Sequence, residues 1–206
     1  MRFSFLTFAV VAFLCTVGCS DAPKEEVKKE PVKPPAPITG RQGFQMTYPS
    51  ARGWASDAVP MRVQSLNLES VKLETAKAPV WQVTYVSASK GAMRAYTWST
   101  VEEGTNIHKG VFGGAQDKWA GPSGQERSFA SSEVNIDTPE ALEKALTKAD
   151  TYLKKPGQKP VVNFLLQQTT RFNEPVWIVM WGNSPGTAEF TVTVGATSGK
   201  VLTFDQ

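Results

Sequence analysis

A chain of 206 residues with 22 Lys or Arg, 19 Asp or Glu, one His and two Cys has a formal net charge of +3. Charge so close to balance gives no electrostatic case for nucleic acid or for a strongly acidic partner. Both cysteines, Cys15 and Cys19, fall in the first 19 residues. The rest of the chain therefore offers no disulfide framework, Cys-based metal site or catalytic thiol.

The N-terminus has the pattern of an export signal. Arg2 supplies a positive start, and residues 3–14 are apolar except for Ser4 and Thr7. The run is shorter than the roughly 20 apolar residues of a membrane span. It ends in Thr16-Val17-Gly18-Cys19 and a polar stretch. That ending resembles the lipobox of bacterial lipoproteins, with Thr16 where Leu is usual. The resemblance implies cleavage after Gly18 and lipidation of Cys19, leaving 21 basic and 19 acidic side chains and a formal charge of +2. Acyl chains contribute about 0.8 kcal/mol per buried methylene, so the expected partner of Cys19 is a lipid bilayer. Ser20 after the cysteine, by similarity to enterobacterial sorting, implies the outer membrane facing the periplasm rather than the inner membrane or cell surface.

Residues 19–40 combine the lipidated Cys with a segment rich in Pro, Lys and Glu that lacks the apolar residues needed for a core. At about 3.1 Å per residue in polyproline-like conformation, this tether reaches roughly 60 Å.

From residue 41 the composition is that of a folded protein. A first helix is expected within 44–58, despite Pro49 and Gly53, and a strand over 59–68. Trp81, Val83 and Tyr85 alternate, a Gly-containing turn follows, and Ala92, Arg94, Tyr96 and Trp98 alternate again, which predicts a hairpin. Residues 113–137, with Gly113, Gly114, Gly121 and Gly124, read as a connecting loop that presents Trp119. Thr138 is expected to cap a second helix with Pro139 at its first position. Ala141, Leu142, Ala145, Leu146, Ala149 and Leu153 form its apolar face, and Pro156-Gly157 its stop. Residues 161–168 read as a strand. Trp177, Val179 and Trp181, then Ala188, Phe190, Val192 and Val194, read as a second hairpin, and 200–204 as a third strand.

Pro79-Val80-Trp81-x-Val83 recurs as Pro175-Val176-Trp177-x-Val179, 96 residues later. The second copy, through Thr197-Ser198-Gly199-Lys200-Val201-Leu202, resembles the PepSY family, and more loosely the tandem repeats of β-lactamase-inhibitor proteins. The resemblance covers roughly 138–204 and, more weakly, 44–100. It implies a non-catalytic α+β module of secreted and envelope proteins, in some cases inhibiting or chaperoning proteases. The fold class expected is thus α+β, with two helix-plus-antiparallel-sheet repeats packed together. The expected layout is a signal over 1–18, anchor and linker over 19–40, a first repeat over 41–112, a connection over 113–137 and a second repeat over 138–206.

Catalytic ingredients are sparse. His108 would have to serve alone, and adjacent Glu102 and Glu103 point to opposite faces of an extended chain, which is wrong for paired acid and base. No calcium loop or phosphate-binding Gly-Lys-Ser/Thr is present. The expectation is a non-enzymatic, lipid-anchored envelope module that binds or inhibits another envelope protein, without metal or cofactor. Trp54, Trp98 and Trp119 are the candidate binding aromatics, whereas the equivalent Trp81 and Trp177 are expected in the core. The alternatives are binding of a small apolar or carbohydrate ligand between the repeats, or a carboxylate-dependent hydrolase assisted by His108.

Overall fold

The computed structural model describes residues 36–122, 126–155, 161–182 and 185–202, all within the unit Pro34–Gln206. The expected signal, Cys19, most of the expected linker, Gly124, the expected Pro156-Gly157 stop and residues 203–206 lie outside the described residues.

Helix α1 (Gly40–Trp54) is followed by strands β1 (Val59–Leu66), β2 (Val80–Ser87), β3 (Ala92–Ser99) and β4 (Gly110–Lys118). Helix α2 (Thr138–Leu153) is followed by β5 (Val162–Gln167), β6 (Val176–Trp181), β7 (Phe190–Gly195) and β8 (Val201–Leu202). The expected class of two helix-plus-sheet repeats is overturned. The strands form one continuous eight-stranded antiparallel sheet, ordered β4-β3-β2-β1-β5-β6-β7-β8. Its centre is the pairing of β1 with β5, which aligns Val63 with Leu166. Neither strand can be an edge, because each is hydrogen-bonded on both sides.

Both helices serve one face of this sheet. α1 packs on β1 to β4, and α2 on β6 and β7. Alternation sends Trp81, Val83 and Tyr85 of β2, Phe164 and Leu166 of β5, and Trp177, Val179 and Trp181 of β6 into the shared core. Trp81 and Trp177 are fully buried. Their rings meet edge to face at 6.4 Å, and each indole N–H donates over 2.9 Å to a backbone carbonyl, Ile38 O and Ile136 O respectively. Residues of the opposite phase, such as Gln82, Thr84, Leu165 and Ile178, project from the other face. No helix covers that face among the described residues.

α1 begins four residues before the expected start. Thr39 and Gln42 form a capping box, with Thr39 N donating to Gln42 Oε1 at 3.0 Å and Gln42 N to Thr39 Oγ1 at 3.4 Å. Its first turn needs glycine where it meets the tryptophans. A Cβ on Gly40 would lie 2.5 Å from Trp177, and one on Gly43 2.4 Å from Trp81. Exposed Pro49 sits inside the helix without ending it.

α2 also departs from expectation at its cap. Asp137 is the N-cap, accepting from Thr138 N at 2.7 Å. Buried Thr138 accepts from Gly40 N and donates to Ala76 O, tying the starts of both helices together. The buried face runs through Thr138, Ala141, Leu142, Ala145, Ala149 and Tyr152. Leu146, assigned to that face from sequence, is 42% exposed. Finally, Gly113 and Gly114 belong to the edge strand β4 rather than to a connecting loop. A Cβ on Gly113 would meet Tyr96 at 2.8 Å, which explains a glycine inside a strand.

Candidate functional site

A cleft of about 310 Å³ opens between the first half of α1 and the segment 129–134, over the centre of the sheet. Its floor is Val63 and Leu166, the cross-strand pair that joins β1 to β5, with Trp177 beside them. One wall is the α1 stripe Gly40, Arg41, Phe44, Gln45 and Tyr48. The other is Phe129, Ser131 and Val134. Helical spacing puts Phe44 and Tyr48 one turn apart, their ring centroids 5.5 Å from each other, and Phe44 also stacks at 6.1 Å on Tyr85.

The wall is held by a chain of polar contacts. Phe129 N donates to Pro60 O at 3.0 Å, anchoring buried Phe129 on β1. Asn135 N and Ile136 N both donate to Ala196 O at 2.9 Å. The 195–199 turn that carries this carbonyl is itself clamped by Glu174, which accepts from Thr197 N, Ser198 N and Ser198 Oγ. Burial pushes the Glu174 carboxyl up, but the Ser198 hydroxyl and the two backbone N–H groups outweigh it and hold it below the usual carboxylate range. Arg41 closes the cleft's end. Its backbone N–H donates to Asp137 Oδ1 at 2.8 Å, and its Nη2 donates to Val134 O and Asn135 O.

No protein-family model, curated protein or solved structure matches the chain.

A smaller cavity of about 210 Å³ lies under Leu142, lined by Phe164, Val162, Asn67 and the 73–77 turn. Its one basic side chain, Lys77, is ion-paired with Glu74 at 2.9 Å. The α1 cleft differs in coupling mostly aromatic and aliphatic walls to an arginine with no carboxylate partner among the described residues.

The aromatics selected from sequence lie elsewhere. Trp98 is 6% exposed and belongs to the core, so its ring is not available to a partner. Trp54 is half-buried at the end of α1, its indole N–H donating to Gln116 Oε1 of β4 at 2.9 Å. Half-buried Trp119 follows β4, its backbone N–H bonded to Gly91 O. None of the three lines the cleft. Cys19 lies outside the described residues.

His108 sits just before β4. Its Nδ1 is 2.8 Å from Glu102 Oε1 and its ring is 4.2 Å from that of Phe112. The Lys109 backbone N–H and then the His108 ring hold the Glu102 carboxyl below its ordinary range. Glu103 instead accepts from the Ser70 hydroxyl. This group is apart from both cavities. Among the described residues no three His, Cys, Asp or Glu side chains converge on a metal-binding position, and no helix is long and apolar enough to cross a membrane.

Sequence reasoning missed Arg41, Phe44, Tyr48 and Phe129 as site residues. The legible signal was the Thr39-x-x-Gln42 box, which starts α1 early enough to put Arg41, Phe44 and Tyr48 on one helical stripe. Phe129 carried no such signal, because its place depends on a long-range bond to Pro60.

Proposed function

We propose that the chain is a lipid-anchored, non-enzymatic binding protein of the bacterial envelope, and that its ligand is a small apolar molecule held in the α1 cleft. One observation carries this reading: Phe44, Tyr48, Phe129, Val63, Leu166 and Trp177 line about 310 Å³ of open space at the structural centre of the sheet. A volume of this order is at the small end of ligand sites, which combine apolar walls with a few polar groups. The lipobox ending at Cys19 and the tether after it support a module held at a membrane surface.

The test is binding of a neutral apolar probe, 1-decanol, to the full chain carrying Cys19→Ser, followed by tryptophan fluorescence. Gln45 lies exposed on the cleft wall, so Gln45→Trp should fill the mouth and weaken binding by about tenfold or more without unfolding the chain. Equal affinity in the two proteins, or no binding in either, would remove the cleft as a ligand site.

A second reading, contact with another envelope protein, has support in the edge strand β4. There Val111 and Phe112 are 38% and 44% exposed, and the strand has no partner on its outer side among the described residues. Gly114→Pro, which would block strand addition at this edge, should abolish retention of a partner from crosslinked envelope extract if β4 makes the contact.

A further inference from the structure

We propose that the ligand of the α1 cleft carries one carboxylate at the end of an apolar body, with Arg41 as its counter-ion. This inference rests on the reading of the cleft as a ligand site and adds the chemical class of what it takes.

The cleft lining carries one charged side chain, Arg41. A guanidinium beside apolar walls is costly unless it is paired or fully hydrogen-bonded. Among the described residues Arg41 meets neither condition. Its Nη2 is held by two main-chain carbonyls, and its Nε–H is buried without an acceptor. No carboxylate among the described residues pairs with the Arg41 side chain, and those nearby accept from other donors. Asp137 Oδ1 accepts from the backbone N–H groups of Arg41 and Thr138, Glu133 Oε2 accepts from Ala130 N, and Glu174 holds the 195–199 turn. An incoming anion would therefore supply the missing counter-charge to the guanidinium. A carboxylate suits it best, because its two oxygens match the planar fork of guanidinium donors.

The rest of the cleft limits the ligand to a single charge. Beyond Arg41 the lining includes Phe44, Val63, Leu166 and Trp177, with Gln45, Ser131 and the Tyr48 phenol as neutral polar groups. A second charge would lie unpaired against these apolar side chains. One charged end and an uncharged, apolar remainder is the composition that fits.

The test compares decanoate with 1-decanol, which share the alkyl chain and differ in the head group. Both are titrated calorimetrically into the full chain carrying Cys19→Ser, into the same protein with Arg41→Gln, and into the Gln45→Trp variant. The expected result is decanoate binding about tenfold or more tighter than decanol. Arg41→Gln should remove that preference, bringing decanoate and decanol to equal affinity within the variant, while Gln45→Trp should weaken both.

Equal affinity for the two probes in the parent protein would overturn the carboxylate inference while leaving the apolar cleft standing. Failure of both probes to bind would overturn the cleft reading and this inference with it. A decanoate preference that survives Arg41→Gln would place the anion on another cation and overturn the assignment. Because Arg41 also braces the 134–135 carbonyls, a measurement on the unsubstituted side chain accompanies the variant. The Nε–H resonance of Arg41 should move with decanoate and stay with decanol, and a resonance indifferent to decanoate would overturn the proposal.

Discussion

Replacing Gly43 by alanine should destabilise the chain, although alanine is the better helix former by about 1 kcal/mol. The new methyl carbon would sit 2.4 Å from Trp81 Cγ and 2.6 Å from its Cβ and Cδ1. These atoms are near the root of the side chain, so no change of rotamer at the tip relieves the clash. Trp81 is also fixed by its bond to Ile38 O and its edge contact with Trp177. Over-packing of this kind costs about 1–3 kcal/mol. With contacts this short the upper end applies, leaving a net loss of about 2 kcal/mol after the propensity gain. Gly53, in the last turn of the same helix, provides the control because a Cβ there meets nothing within 4 Å. Gly53→Ala should therefore gain up to about 1 kcal/mol. Guanidinium unfolding of the two variants should give midpoints on opposite sides of the parent at an unchanged slope. A Gly43→Ala chain as stable as the parent would refute the claim that α1 touches the sheet through its glycines.

Other consequences follow from single contacts. Trp177→Phe removes the indole bond to Ile136 O and leaves a gap at a fully buried site, which should cost about 2–4 kcal/mol in the same unfolding assay. Asp57 is held at about 2, below its ordinary 3.8, by the Ser87 hydroxyl and then the Ser89 backbone N–H. A depressed carboxyl contributes stability above its unfolded pKa and loses it as pH falls through the folded value. The gap between the parent and Asp57→Asn should therefore be full at neutral pH and close between about pH 4 and 2, and a gap independent of pH would contradict the assignment. Burial pushes the Tyr85 phenol well above its ordinary 10.0, against the opposing effect of its bond to Thr47. In alkaline titration followed by phenolate absorbance, Tyr85→Phe should remove a phenol that ionises above the ordinary range, and the contribution of Tyr85 to stability should fade only above that range.

Strands with one clear inner phase were legible in the sequence. Trp81, Val83 and Tyr85 alternate because each points into the core, and β6 repeats that arrangement with Trp177, Val179 and Trp181. Most of α2 was legible for the same reason, with Leu146 misplaced because it falls just beyond the strip that meets the sheet. The continuity of the sheet was not, since the pairing of Val63 with Leu166 joins strands about a hundred residues apart and leaves no local pattern. The start of α1 was obscured by Gly40 and Gly43, which local propensity disfavours in a helix and tertiary contact with Trp177 and Trp81 requires. β4 was hidden by its glycines, of which Gly113 is required by close approach to Tyr96 of β3 rather than by strand preference. Of the cleft, the tryptophan Trp177 was noticed and assigned to the core, where it is fully buried. Arg41 has no such signal, because its meaning lies in a guanidinium without an ion-pair partner among the described residues, a property of the assembled fold.

The most direct measurement is methyl NMR of the full chain carrying Cys19→Ser during titration with 1-decanol. Val63 and Leu166 mark the cleft floor, whereas Leu165 of β5 and Ile178 of β6 project from the opposite face of the same sheet. Saturable shifts at Val63 and Leu166, with Leu165 and Ile178 unmoved, are the predicted result. Shifts confined to Leu165 and Ile178 would place binding on the open face of the sheet and contradict the account.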